Sequence, residues 1–496
     1  MTILLTIIGY FLLLMGYSRW ATGRNADNEA FFRGNRQSPW YMVAFGMVGA
    51  SISGITFVSV PGMVVGSNMS YVQTCLGFIL GYFIVAMVLL PVYYRLNLTT
   101  IYSFLNDRLG RGAYKTGATF FLLSKMTGAA ARFYVVCIVI EEFVLRPLWP
   151  AVYAEGGGTM LFCLATIAMV CLIWLYTRSG GIKTLVWTDV LQTSCMIIVL
   201  AIIIYKVIGA LDMSLPEAWD AIWANEHSRM FVFDDAVSRQ YFWKQFFSGI
   251  FIVIVMTGLD QDMMQKNLTC KSLKDAQKDM CTYGLAFVPV NILFMCLGIL
   301  LLLLVEKEGM AMPQSTDTLL PMFAASGWLG TPVVIMFVIG IMAAAFSSAD
   351  SALTAITTCY CVDICERKSD EKLRKMVHIG AACVFCVCIV MFRMLNSTSL
   401  IDAIYVMCSY TYGPLLGLFA FAAASPLLMK KAHKPGIFAT GAVCIAAPVI
   451  CYALDNVCLT LWNYRFGYEL LMTNGALTFL GLTAISLKHR NKSNKL

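Results

Sequence analysis

Apolar runs about as long as a bilayer is thick, each bounded by charge, follow one another from end to end of this chain. Thirteen can be marked, at approximately 2–19, 39–66, 71–94, 115–142, 158–177, 184–208, 241–265, 279–305, 328–360, 376–395, 400–425, 436–455 and 467–487. A hydrocarbon core about 30 Å thick takes about 20 apolar residues per helix, and only helices or closed barrels satisfy every backbone polar group inside it. The pattern therefore predicts an all-α membrane protein of about 13 transmembrane helices, a single polytopic domain over residues 1–496. With 59% hydrophobic and 13% charged residues, no stretch is left for a separate soluble domain. The first run has neither a basic n-region nor a small-residue cleavage site, so it is expected to be a retained helix.

Basic residues set the expected orientation. The connections after the odd-numbered runs hold about 26 of the 36 lysines and arginines, against about 7 on the other side. Those connections should face the cytoplasm, with the N-terminus outside and the Lys488-His489-Arg490-Asn491-Lys492 tail inside. The net charge of +8 is this asymmetry, spread over seven loops, and does not describe a nucleic-acid surface.

Most of the 18 cysteines lie within apolar runs, as in Cys383-Val384-Phe385-Cys386-Val387-Cys388, and read as filler rather than as a disulfide or metal framework. The four histidines, His227, His378, His433 and His489, fall in loops or at run ends. No histidine-based catalytic or metal centre is expected at membrane depth, which weakens the case for an intramembrane enzyme, and no organic cofactor is expected.

Two runs carry polar groups where they are costly. The ninth contains Ala343-Ala344-Ala345-Phe346-Ser347-Ser348-Ala349-Asp350-Ser351, and hydroxyls and a carboxylate at that depth must serve an ion or one another. The second contains Gly46, Gly49, Ser51, Ser53, Gly54, Thr56 and Ser59, a crowd of small and hydroxylated residues that lets a helix open and expose carbonyls. Broken helices at the midplane bind ions and substrates in transporters built from inverted repeats, though a tight packing seam would look similar. The runs beginning near Pro39 and Tyr241 each open a block of five. An odd number of helices separates their starts, which predicts inverted repeats at 39–208 and 241–425, with 1–38 and 426–496 flanking.

Five segments in order resemble the sodium:solute symporter family, between about Asn25 and Pro435. They are Ala26-Asp27-Asn28-Glu29-Ala30-Phe31-Phe32-Arg33-Gly34, the stretch from Gly180 to Gln192, Gln261-Asp262-Met263-Met264-Gln265-Lys266, the run from Ala344 to Asp363, and Tyr412-Gly413-Pro414-Leu415-Leu416-Gly417. In motifs the chain is nearest to the bacterial sodium–sialic acid symporters. The resemblance implies a LeuT-like fold, a five-plus-five inverted repeat with flanking helices, and sodium-driven alternating access.

Carried over residue by residue, the resemblance implies a sodium site of the carbonyls of Gly49, Ile52 and Ala344 with the hydroxyls of Ser347 and Ser348. A hard cation takes oxygen ligands, and five neutral ones hold sodium without trapping it. The alternative is that both hydroxyls bond back to their own helix. The resemblance also implies a second cation site of Asp189, Ser347, Asp350 and Ser351, in which Asp350 departs from the small hydroxyl or alanine of those relatives. Two converging carboxylates would strengthen sodium binding or make the site proton-sensitive. Alternatively Asp189 is merely interfacial, and Asp350 pairs with a basic residue near a cytoplasmic loop.

For the solute, Ser51, Ser53 and Thr56 match contacting hydroxyls, Tyr71 an aromatic outer gate, and Cys75 the position of a glutamine, with Gln73 on another helix face. The relatives' carboxylate-binding arginine falls on Gly128, and Arg132 lies one turn later, where it could bind a carboxylate, snorkel, or pair with Asp189 or Asp350. The expected partners are thus sodium, the bilayer of a plasma membrane, by likeness a bacterial inner membrane, and a small polar organic solute. That solute is a sialic acid or other carboxylate, a sugar or polyol, or an amino acid. A transporter-fold sensor and an intramembrane enzyme are the other classes, the latter having only Asp189 and Asp350 as its acid and base.

Overall fold

The computed structural model describes residues 2–22, 27–313, 315–395, 400–428 and 436–493. The outer limits of the resembling stretch, Asn25 and Pro435, and His433 lie outside the described residues. The fold is all-helical, with one isolated bridge between Ser38 and Cys270. In chain order its long elements are α1 (Thr2–Thr22), α2 (Trp40–Ser51), α3 (Gly54–Ser67), α4 (Tyr71–Ile84, continuing helically to Arg95), α5 (Arg111–Ile140), α6 (Gly158–Gly180) and α7 (Ile182–Ala210). They continue as α8 (Phe242–Val253), α9 (Gln261–Asn267), α10 (Leu273–Lys307), α11 (Thr331–Cys359), α12 (Glu371–Leu395), α13 (Leu400–Leu428), α14 (Ile437–Trp462) and α15 (Leu470–Ser493).

Among the described residues ten helices are long and apolar enough to cross a membrane, or eleven if the bent pair Phe242–Gly258 and Gln261–Asn267 is one span. This falls short of thirteen for local reasons. The second run breaks, leaving Trp40–Ser51 too short to count alone, and Gly54–Arg95 passes as one helical stretch of 42 residues.

Both breaks follow from sequence. At the first, Ile52 (ψ 79°) and Ser53 (ψ 169°) leave the helical region, and the Ser53 amide turns back to the Ser51 carbonyl. The Gly49 carbonyl thereby loses its usual donor four residues on, and the ladder resumes only with the Phe57 amide on the Ser53 carbonyl. At the second, the chain bends by 70° around Leu259 and Asp260, and Asp260 caps α9 by accepting from the Asp262 amide at 2.8 Å.

Small residues bring backbones together around the breaks. A Cβ on Gly49 would collide with Thr193 of α7, and one on Gly46 would stand 3.0 Å from the Asp189 Cβ. In α4 and α8, a Cβ on Gly77 would strike the Phe246 carbonyl and one on Gly249 the Thr74 carbonyl. Likewise a Cβ on Gly298 of α10 would strike the Pro61 carbonyl of α3. The opening helices of each half thus pack on the second helix of the other half, backbone to backbone.

One end of the bundle is tied by charge. Thr100 and Tyr114 hydroxyls both donate to Asp363, Tyr114 at 2.9 Å, while Lys115 donates to the Ile364 carbonyl at 2.8 Å and pairs with Glu366. Within the connection between α7 and α8, a capping box of Ser214 and Glu217 starts a helix at Leu215, and the Ser214 backbone and hydroxyl donors hold the Glu217 carboxyl below its usual range.

Candidate functional site

The polar residues of α11 sit against the α2–α3 break, α7 and α9. Ser347 Oγ donates to Asp189 Oδ1 at 2.8 Å, and Lys266 Nζ lies 2.7 Å from Asp189 Oδ2. Asp189 and Lys266 are 1% and 2% exposed, so Asp189 is an interior group rather than an interfacial one. The Ser348 Oγ is buried, has no hydrogen-bond partner and faces a cavity. Neither serine bonds back to its own helix, the pattern expected of a hydroxyl without further work. Ala344 is fully buried one turn before them.

Asp350 lies 0% exposed and, among the described residues, forms no ion pair with a basic residue of a loop. Its Oδ2 accepts from the Tyr176 hydroxyl at 2.6 Å and its Oδ1 from Ser351 at 3.2 Å. The second expected cation set is therefore split. Asp189 and Ser347 are bonded together around a lysine, and Asp350 and Ser351 are held by a tyrosine from α6.

Beside the break lies a cavity of about 120 Å³. Of the residues expected at the solute, Ser51, Ser53, Thr56, Tyr71 and Arg132 line it, and so does Ser348 of the sodium set. Cys75 does not line it. The thiol is fully buried in the apolar core, on a helix whose glycines draw it onto α8, and its place facing the solute is corrected accordingly. Gln73 is no substitute, because its amide is bonded to the Gln240 carbonyl at 2.8 Å and the Val232 amide at 3.0 Å, bracing a loop. The Ser51 hydroxyl is bonded to that of Tyr283, which accepts from Tyr82 at 2.7 Å.

Five groups in this region were not singled out as site residues from sequence. Lys125 reaches into the cavity from α5, 2.6 Å from Asp262 and 3.2 Å from Asp260, and Tyr412 donates to Asp260 at 2.6 Å. The fifth is Lys266. The signals were there, a lone lysine inside the fourth apolar run and charged residues within motifs already marked. Distance along the chain concealed that they meet. Lys125 is consumed by two carboxylates, whereas Arg132 forms no ion pair among the described residues and pairs with neither Asp189 nor Asp350. One oxygen of Asp262 is buried without a hydrogen-bond partner. Tyr71 also lines a second cavity of about 340 Å³ with Gly62, Arg239 and Asp317, so it borders two spaces.

The model of the sodium:solute symporter family matches residues 31–443. The chain is 22% identical over 451 residues to the human sodium/iodide cotransporter, covering 87% of this chain and 67% of that protein. It is 24% identical over 443 residues to the sodium/sialic acid symporter NanT of Aliivibrio fischeri, covering 84% of this chain and 81% of that protein. A solved substrate-bound, outward-open state of a Na+-coupled sialic acid symporter superposes with a TM-score of 0.78 at 19% identity, covering 98% of each chain.

Proposed function

The chain belongs to the sodium:solute symporter family, and from that premise we propose that it imports an organic anion bearing hydrogen-bond donors, with the carboxylate held by Arg132. Sodium-coupled symport of a small polar solute by alternating access is the function, carried by a non-catalytic LeuT-like membrane fold.

The observation that carries the choice of an anion is the state of the two cations in the cavity. The Lys125 charge is already met by Asp260 and Asp262, while the Arg132 guanidinium has room for a partner. A guanidinium fork suits a carboxylate, and an unpaired charge at that depth is costly. The unpartnered Asp262 oxygen and the hydroxyls of Ser51, Ser53 and Thr56 ask for donors and acceptors on the rest of the solute. Iodide and sialic acid, named for two relatives, are both anions, and the second has the hydroxyls this cavity would use.

For sodium, we assign the carbonyls of Gly49, Ile52 and Ala344 with the hydroxyls of Ser347 and Ser348. Supporting this are the freed Gly49 carbonyl and the unpartnered Ser348 hydroxyl beside the same break. Tyr71 is the outer gate, given that it borders both cavities.

The finer architecture is thirteen spans. Asn68 (φ 54°, ψ −156°) divides Gly54–Arg95 in two, the bent pair makes one span, and α1 makes another. An odd count with the lysine and arginine asymmetry puts the N-terminus outside and the C-terminus in the cytoplasm. The repeats are 39–208 and 241–425, supported by the reciprocal glycine contacts of α4 with α8 and α3 with α10. A bacterial inner membrane is our placement, on the likeness to NanT.

One sodium entering down a tenfold gradient supplies about 1.4 kcal/mol, and roughly 2.3 more per 100 mV. With an anionic solute the voltage contribution cancels for one sodium. The test is thermal shift of purified protein with sialic acids, other carboxylates, sugars, polyols and amino acids, each in sodium and in potassium. Stabilisation by a hydroxylated carboxylate in sodium alone is expected. Stabilisation only by neutral sugars would remove the anion reading.

A further inference from the structure

We propose that the Lys266 ammonium stands permanently where a second coupling cation would bind, so that this chain binds a single sodium. The inference rests on the sodium site assigned above and concerns the charge behind it.

Asp189 is a carboxylate at membrane depth, 1% exposed, and such a group needs a cation. Ser347 bonds to it, while Asp350 and Ser351, on the next turn of the same helix, are held by Tyr176. The cation actually delivered is a side chain. Lys266 comes from α9, beyond the 70° bend, and its Nζ approaches Asp189 Oδ2 at 2.7 Å. That is the length of a charge-assisted contact. The other carboxylate oxygen is taken by the Ser347 hydroxyl at 2.8 Å. One oxygen is bonded to Ser347 and the other lies in ion-pair contact with Lys266, so a sodium ion approaching Asp189 would meet the ammonium, which is itself 2% exposed and costly to displace from its buried partner.

The same contacts give the pair a positive role. Ser347 gives its proton to Asp189, so its lone pairs point away from the carboxylate and are free for the ion held with Ser348. Lys266 holds Asp189 in place, and Asp189 orients Ser347. A tethered charge does this work without leaving with the cargo.

The experiment counts sodium. Purified full-length protein is equilibrated with radioactive sodium at fixed ionic strength, with choline as the replacement, and bound sodium per chain is measured for the wild type, K266Q, K266R and the double variant D189N/K266Q. One sodium is expected for the wild type and K266R, two for K266Q, whose Asp189 is released, and one for the double variant. A wild-type count of two overturns the proposal outright and stands even if K266Q fails to fold. A K266Q count of one also overturns it. A wild-type count of zero instead removes the assigned sodium site, and the inference falls with it.

Discussion

Ser347 of α11 is bonded to Asp189 of α7 at 2.8 Å, and this one contact joins the two cation sets expected from sequence. The hydroxyl donates to the carboxylate, which leaves its lone pairs for the sodium of the proposed assignment. The neighbouring Ser348 has no such partner, which separates the two serines experimentally.

Ser348→Ala should weaken sodium binding about tenfold or more by removing one oxygen ligand, with little loss of stability in potassium, because the hydroxyl has no protein partner to orphan. Ser347→Ala should weaken sodium binding and also lower the melting temperature in potassium, since Asp189 Oδ1 loses its donor. Equal behaviour of the two variants in sodium and potassium melts would contradict the assignment.

Arg132→Gln should abolish stabilisation by the carboxylate solute while leaving the sodium-dependent shift intact. Arg132→Lys should recover less than a tenth of the solute affinity, because an ammonium lacks the planar fork. Loss of the sodium shift in both would make Arg132 a structural residue.

Lys125→Met leaves Asp260 and Asp262 buried with no cation, and should cost about 3–5 kcal/mol of stability. Adding Asp262→Asn should restore part of it, read as chemical denaturation in mild detergent. A neutral result for Lys125→Met alone would mean that the carboxylates find another cation.

Gly49→Ala should destabilise the chain by about 1–3 kcal/mol, because its Cβ would enter the space of the Thr193 hydroxyl. Combining it with Thr193→Ala should recover part of the loss. No recovery would mean that the strain lies elsewhere in the break.

Much of this was legible in the sequence because bilayers enforce a simple code. Run length marks membrane-crossing helices, ten or eleven of them among the described residues, and the small residues around Gly49 and Ser53 mark where α2 and α3 break, although a packing seam would look similar in sequence. Ser51, Ser53, Thr56 and Arg132 could be placed near one cavity because they share two helices and a resembling family. What could not be read was pairing over distance. The contact of Lys266 with Asp189 spans 77 positions, and that of Lys125 with Asp260 spans 135. Lys125 stands inside an apolar run and Lys266 within a marked motif, but nothing local names the carboxylate that either one meets. Cys75 went astray for the opposite reason, since a position matched without gaps says which turn a residue occupies but not which neighbour covers it.

The glycines where α4 meets α8 and α3 meets α10 leave no side chain to act as a cushion between these backbones. Contacts of that kind do not slide, because sliding would drive carbonyls into Cα atoms. The four helices should therefore move as one stiff lever, with the solute cavity along its flank. Whatever opens and closes around the cargo has to do so at the lever's edges, where these helices meet α5, α7 and α11.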